Sequence, residues 1–178
     1  MLRRGGKQKE RPTIRVLIEC DLENIWRNLP KMPPPERLSL VAGFDRLIKE
    51  IAEQVGEIIN VFIFVPPHLA IPFGPDLHKL GFTTILCPKV EEKATGAEVD
   101  TVDEELIKFG QWALEELEFT HLCLISGDRD FAPLIRQAVR KKKEIIVAAA
   151  DRRSLAIELI QLVRLAKGKI FIFSPVKD

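Results

Sequence analysis

Several acidic residues in this chain fall where they could share one divalent cation. Asp21 directly follows an apolar run, Ile14–Cys20 (IRVLIEC). Asp128 and Asp130 directly follow a second run, His121–Ile125, within Ser126-Gly127-Asp128-Arg129-Asp130-Phe131. Asp100, Asp103 and Glu104 stand at i, i+3 and i+4 where a helical pattern begins, so they are expected to share one helix face. Asp151 follows a further apolar run, Glu144–Ala149. Taken singly, each acid has an ordinary explanation. A carboxylate in a first helical turn complements the helix dipole, and Asp128 or Asp130 would serve as an N-cap. Taken together at one mouth, they would repel one another and raise one another's pKa values. A divalent cation removes that conflict, and an all-oxygen ligand set suits Mg²⁺ or Mn²⁺. Neither histidine nor clustered cysteine stands at these strand ends, which argues against zinc. A metal held this way can orient a water, lower its pKa and stabilise charge on a phosphodiester.

The acids converge only if the runs before them are neighbouring strands. Ile14–Cys20, Ile58–Val65, Phe82–Cys87, His121–Ile125, Glu144–Ala149 and Ile170–Phe173 are apolar throughout rather than alternating. Helical patterns separate them. Val41, Phe44, Ile48, Ile51 and Val55 mark a helix starting near Glu36, after the Pro-rich LPKMPPPE. Val102, Leu106, Phe109, Ala113 and Leu117 mark a long helix from about Val99 to Leu117. Phe131, Leu134, Ile135 and Ala138 mark another, and Leu155, Leu159, Leu162 and Ala166 the last. Residues 66–81, with four prolines, are expected to be irregular with one short helix from Asp76 to Leu80, and to offer a flap beside the site. Apolar strands alternating with helices predict a three-layer α/β/α fold around a central parallel sheet. Ligands of such sheets bind beyond the carboxyl ends of the strands, where strand order reverses.

Residues 1–12 form a basic arm without the apolar core of a secretory signal, and residues 13–178 form one domain. The expected compartment is therefore the cytoplasm. Cys20, Cys87 and Cys123 are an odd set beside apolar runs, expected to be buried thiols rather than a disulfide framework. The net charge is only +1, so bulk attraction to a polyanion is excluded and any nucleic-acid contact must be local. Arg129, between the two acids, either grips a phosphate or pairs with a neighbouring acid. Arg152 and Arg153 follow a strand on the same side, as phosphate contacts or as solvated loop residues. Ser154 is read as a cap of the last helix. Trp26 either stacks on a base or packs against the Pro-rich bend. His68, His78 and His121 show no partner that would make one a base.

Asp21-Leu22-Glu23-Asn24, Ser126-Gly127-Asp128-Arg129-Asp130-Phe131 and the spaced Lys93, Gly96, Val99, Asp100 together resemble the NYN domain of the PIN-like nucleases. The likeness runs over nearly all of residues 13–174, including EIIVAAADRRSLAIELI. It implies a parallel sheet in the order 3-2-1-4-5 and Mg²⁺- or Mn²⁺-dependent cleavage of RNA. It assigns Asp21, Asp128 and Asp130 to the metal, Asn24 to the first-motif asparagine and Ser126 to the short hydroxyl beside the metal. Gly96 and Lys93 stand farther from Asp100 than the family pattern has them. The fourth ligand is thus a choice among Asp100, Asp103 and Glu104, with Asp100 preferred. Lys167 stands where the family often has an acid. The resulting expectation is an endoribonuclease acting on RNA, with homodimerisation open. The alternative is an inactive RNA-binding module. A phosphatase reading lacks the acid-x-acid signature after the first strand, and no P-loop or GxGxxG fingerprint is present.

Overall fold

Side chains alternate across a strand, and in Arg15–Asp21 this alternation decides where the site lies. Val16, Ile18 and Cys20 enter one core, whereas Leu17, Glu19 and Asp21 point to the opposite face. The structure is a computed structural model that describes residues 13–29, 37–91, 96, 98–99 and 101–173. In chain order its elements are β1 (Arg15–Asp21), α1 (Leu22–Asn28), α2 (Arg37–Gln54), β2 (Glu57–Val65), α3 (Pro67–Lys79) and β3 (Thr83–Leu86). Then follow β4 (Val90–Glu91), β5 (Glu98–Val99), α4 (Val102–Glu116), β6 (His121–Ile125), α5 (Ala132–Arg140), β7 (Glu144–Ala149), α6 (Ile157–Leu165) and β8 (Lys169–Ile172). A short 3-10 turn, Arg129–Phe131, leads into α5.

Six strands form one parallel sheet in the order β3-β2-β1-β6-β7-β8. This is the expected 3-2-1-4-5 order with the final short strand added at the edge. Helices α1, α2 and α3 cover one face through Leu22, Ile25, Phe44, Ile51, Leu69 and Phe73. Helices α4, α5 and α6 cover the other through Leu106, Ala113, Leu134, Ile135, Leu159 and Val163. The connections leave β1 and β6 in opposite directions, so a crevice opens between their carboxyl ends. No helix among the described residues is long and apolar enough to cross a membrane. All three cysteines are buried and stand outside any disulfide among the described residues.

Two local expectations are corrected. Residues 67–79 form a full helix rather than an irregular flap, and its Leu69, Phe73 and Leu77 are buried at i, i+4 and i+8. Pro67 sits in the first turn, where its missing N–H is harmless. Pro72 and Pro75 remove bonds to the carbonyls of His68 and Ile71, and all four residues lie on the exposed side. The freed carbonyls therefore face water, and the buried stripe decides the conformation. The second correction concerns Val99. It pairs with Val90 in a two-strand antiparallel ribbon instead of opening a helix. Thr101 follows with its Oγ1 donating to the Pro88 carbonyl at 2.7 Å, and α4 begins only at Val102. Asp103 and Glu104 stand in the first turn of α4, and the face they were expected to share with Asp100 falls outside the described residues. The start of α2 near Glu36, the Pro-rich bend, the basic arm, Lys93 and Asp100 lie outside the described residues.

Candidate metal and nuclease site

Asp21 ends β1 and caps α1, its Oδ1 accepting the Asn24 backbone N–H at 3.0 Å. The Asn24 side chain turns across the crevice, and its Oδ1 accepts the Gly127 N–H at 3.0 Å. Ser126, fully buried at the end of β6, donates to Asp21 Oδ2 at 3.4 Å and accepts the Asp128 N–H at 3.2 Å. The ends of β1 and β6 are thus tied together by Asn24 and Ser126. Asp128 in turn caps the 3-10 turn, accepting the Asp130 N–H at 3.0 Å.

In front of this scaffold, carboxylate oxygens of Asp103, Asp128 and Asp130 lie within 4.8 Å of one another. Asp103 reaches the group from the first turn of α4. Glu104 is directed elsewhere, to Lys108 at 2.6 Å. Asp21 is outside that group of three, close enough to Asp103 and Asp128 to feel their charges, and only 4% exposed. Burial pushes its carboxyl up to about 7; the Asn24 N–H opposes this, and the nearby charges of Asp103, Glu23 and Asp128 add to the rise. Held together without a cation, the set is electrostatically unfavourable. Its donors are all carboxylate oxygens, which fits a hard divalent ion.

Arg129 is exposed, 3.8 Å from Asp130. Arg152 is exposed in the loop after β7. Asp151 is engaged in that loop, where it accepts the Ser154 N–H at 2.6 Å while Ser154 Oγ donates to the Asp151 carbonyl at 2.9 Å. The Ser154 bond holds the Asp151 carboxyl below its usual range. Ser154 therefore closes a turn and does not cap α6, whose N-cap is Ala156. Trp26 packs against Phe73 of α3, ring centroids 5.3 Å apart.

Two buried acids escaped the sequence reading. Glu23 is 6% exposed, pairs with Arg27 at 2.6 Å and lies 3.6 Å from His68 Nε2 at the start of α3. Only the helical form of residues 67–79 brings His68 there. Glu19 is completely buried on the same face as Asp21, and neither carboxylate oxygen has a partner among the described residues. A charge inside the apolar run Ile14–Cys20 was the available signal.

Gly127 fixes the spacing between the loops. A Cβ there would stand 2.0 Å from the Ser154 carbonyl oxygen and 2.8 Å from its carbon, both backbone atoms. The Gly127 carbonyl also accepts the Ala156 N–H at 2.9 Å. Gly127→Ala is expected to force the two loops apart and lower stability by about 1–3 kcal/mol. An unchanged urea midpoint would show that the loops separate freely.

The family model of the NYN domain matches residues 16–165. A Vibrio parahaemolyticus protein of unknown function is similar in structure, with a TM-score of 0.64 and 16% identity over 91% of this chain and 94% of that one. This is a likeness of fold. Acinetobacter baumannii MurG gives a TM-score of 0.46 and 10% identity over 92% of this chain and 47% of that protein. That resemblance carries no argument. No curated protein matches the sequence significantly.

Proposed function

Because this chain belongs to the NYN domain family, within the PIN-like nuclease superfamily, we propose that it is an endoribonuclease dependent on Mg²⁺ or Mn²⁺. The observation that carries the proposal is the convergence of Asp103, Asp128 and Asp130, with the buried Asp21 close enough to feel the charges of Asp103 and Asp128. These four carboxylates are the metal ligands in this reading, with Asp103 as the fourth ligand. A bound divalent ion supplies a polarised water and neutralises charge developing on the scissile phosphate. The chain's own contribution is placement. Asn24 and Ser126 hold the ends of β1 and β6 in register, so that Asp21 and Asp128 cannot drift apart. Arg129 and Arg152, both exposed, are the residues that meet phosphate oxygens in this reading. One of these carboxylates also serves as the general base that takes a proton from water.

The test is cleavage of a labelled single-stranded RNA in Mn²⁺ by wild type and Asp128→Asn. Loss of one ligand is expected to slow cleavage by roughly 10²-fold or more. Equal rates would overturn the assignment. Retention of RNA by the wild type without cleavage in any divalent ion would instead establish a binding module.

A further inference from the structure

Beside the acidic cluster an open cleft of about 380 Å³ is lined by Arg129, Asp130, Ala132, Pro133, Arg136 and Glu158. We propose that this cleft carries the sugar–phosphate backbone of the RNA strand away from the metal centre, with Arg129 and Arg136 each gripping a phosphate. The proposal rests on the nuclease reading and adds to it the direction of the strand and a second contact residue.

Asp130 belongs both to the carboxylate cluster and to the cleft wall, so the two are continuous. A strand at the cluster meets Asp103 and Asp128 as well, in a chain whose net charge is only +1. It therefore needs cations immediately beyond the mouth. Arg129 and Arg136 stand seven residues apart, on the same side of the 3-10 turn and α5. Between them the lining residues are the short side chains of Ala132 and Pro133, which leave room for a backbone. Arg129 is 78% exposed, and its contact with Asp130 is long, at 3.8 Å. Arg136 is held at the wall by an ion pair with Glu158 of α6, yet both side chains keep more than two-fifths of their surface in water. A guanidinium has five donors in a fixed fork, so Arg136 can keep Glu158 and still offer a pair of N–H groups to a phosphate. Farther along, the groove between α5 and α6 becomes apolar, with Val139, Leu162 and Leu165 beside Arg140. The phosphate track is thus two contacts long.

Single-strand binding loses about 0.7 in the slope of log K against log salt for each phosphate contact removed. Binding of a fluorescein-labelled oligouridylate to full-length Asp128→Asn protein reads this slope without cleavage. Arg136→Ala in that protein is expected to flatten the slope by about 0.7 and to weaken binding roughly fivefold at low salt. Arg136→Lys should keep the slope, and Glu158→Gln should tighten binding by removing a negative charge from the wall. Arg140→Ala, at the apolar end, should leave the slope unchanged. An unchanged slope in Arg136→Ala, or an equal loss in Arg140→Ala, overturns the track. Weaker binding in Glu158→Gln does so too, because the ion pair would then be only structural, and that arm decides the matter even if Arg136→Ala fails to fold. Loss of cleavage in Asp128→Asn with no change in slope for Arg136→Ala sinks the track alone. Absence of cleavage by the wild type in any divalent ion sinks the nuclease reading, and the slopes still decide the track.

Discussion

Glu19→Gln should make the metal-free protein more stable at pH 8 by about 4 kcal/mol, while changing stability at pH 5 by less than about 1 kcal/mol. Glu19 sits in β1 with Phe62 of β2 and Leu124 of β6 as its register neighbours. It lies under α4 at Gly110, where an added Cβ would stand 2.8 Å from Glu19 Oε2 and 2.7 Å from Leu134 Cδ2. Burial alone pushes its carboxyl from 4.5 up to about 8. The sign follows from linkage. Below pH 4.5 the side chain is protonated in both states and folding carries no charge penalty. As pH rises from 4.5 toward 8, the unfolded chain ionises while the folded one resists, so stability is lost across that window. Glutamine keeps the shape and stays neutral, which removes this loss and leaves the acid limit nearly as it was. Urea midpoints of the two proteins at pH 5 and pH 8 check it. Equal losses of stability in both would assign the pH dependence to other groups, of which Asp21 is the next in line.

The sheet was legible because its strands are apolar on both faces and short. Ile58–Val65 and His121–Ile125 cannot be half-exposed antiparallel strands, and helical patterns lie between them. Asp21 and Asp128 were legible for the same reason, since each directly follows such a run. Residues 67–79 were not, because proline count outweighed a buried i, i+4, i+8 stripe whose effect depends on a core that only the fold supplies. The place of Asp103 beside Asp128 and Asp130 was likewise not fixed by spacing. The helix boundary at Val102 is set by the ribbon between β4 and β5 and by Thr101 on the Pro88 carbonyl, a contact thirteen residues away in sequence. Arg136 carries no motif at all. Its place beside Asp130 arises from the packing of α5 against α6.

Asp21→Asn is expected to separate stability from function more sharply than any other change at the site. The Asp21 carboxyl titrates near 7 in the folded protein against an ordinary value of 3.8, with burial as the main cause. Its contribution to stability is therefore full below pH 3.8 and lost as pH rises to 7. Asparagine is never ionised, and its Oδ1 can still accept the Asn24 N–H as an N-cap. The metal-free variant should accordingly be more stable than wild type at pH 8 by roughly 2–4 kcal/mol. A divalent ion reverses the ranking for the wild type, because it binds the ionised carboxylate and displaces the proton. Mn²⁺ should raise the thermal midpoint of the wild type, and its affinity should climb about tenfold per pH unit between pH 5 and 7 before levelling. In Asp21→Asn both responses should collapse, and RNA cleavage should fall by roughly 10²–10³-fold or more. Thermal melts with and without Mn²⁺ across this pH range, run beside cleavage rates, measure all three effects on the same samples. If Mn²⁺ raises the midpoints of wild type and variant equally, Asp21 does not hold the metal, and the site reduces to Asp103, Asp128 and Asp130. If the variant gains no stability at pH 8, the Asp21 carboxyl is better solvated than its 4% exposure implies, and the repulsion that argues for a cation behind this cluster is weaker by the same amount.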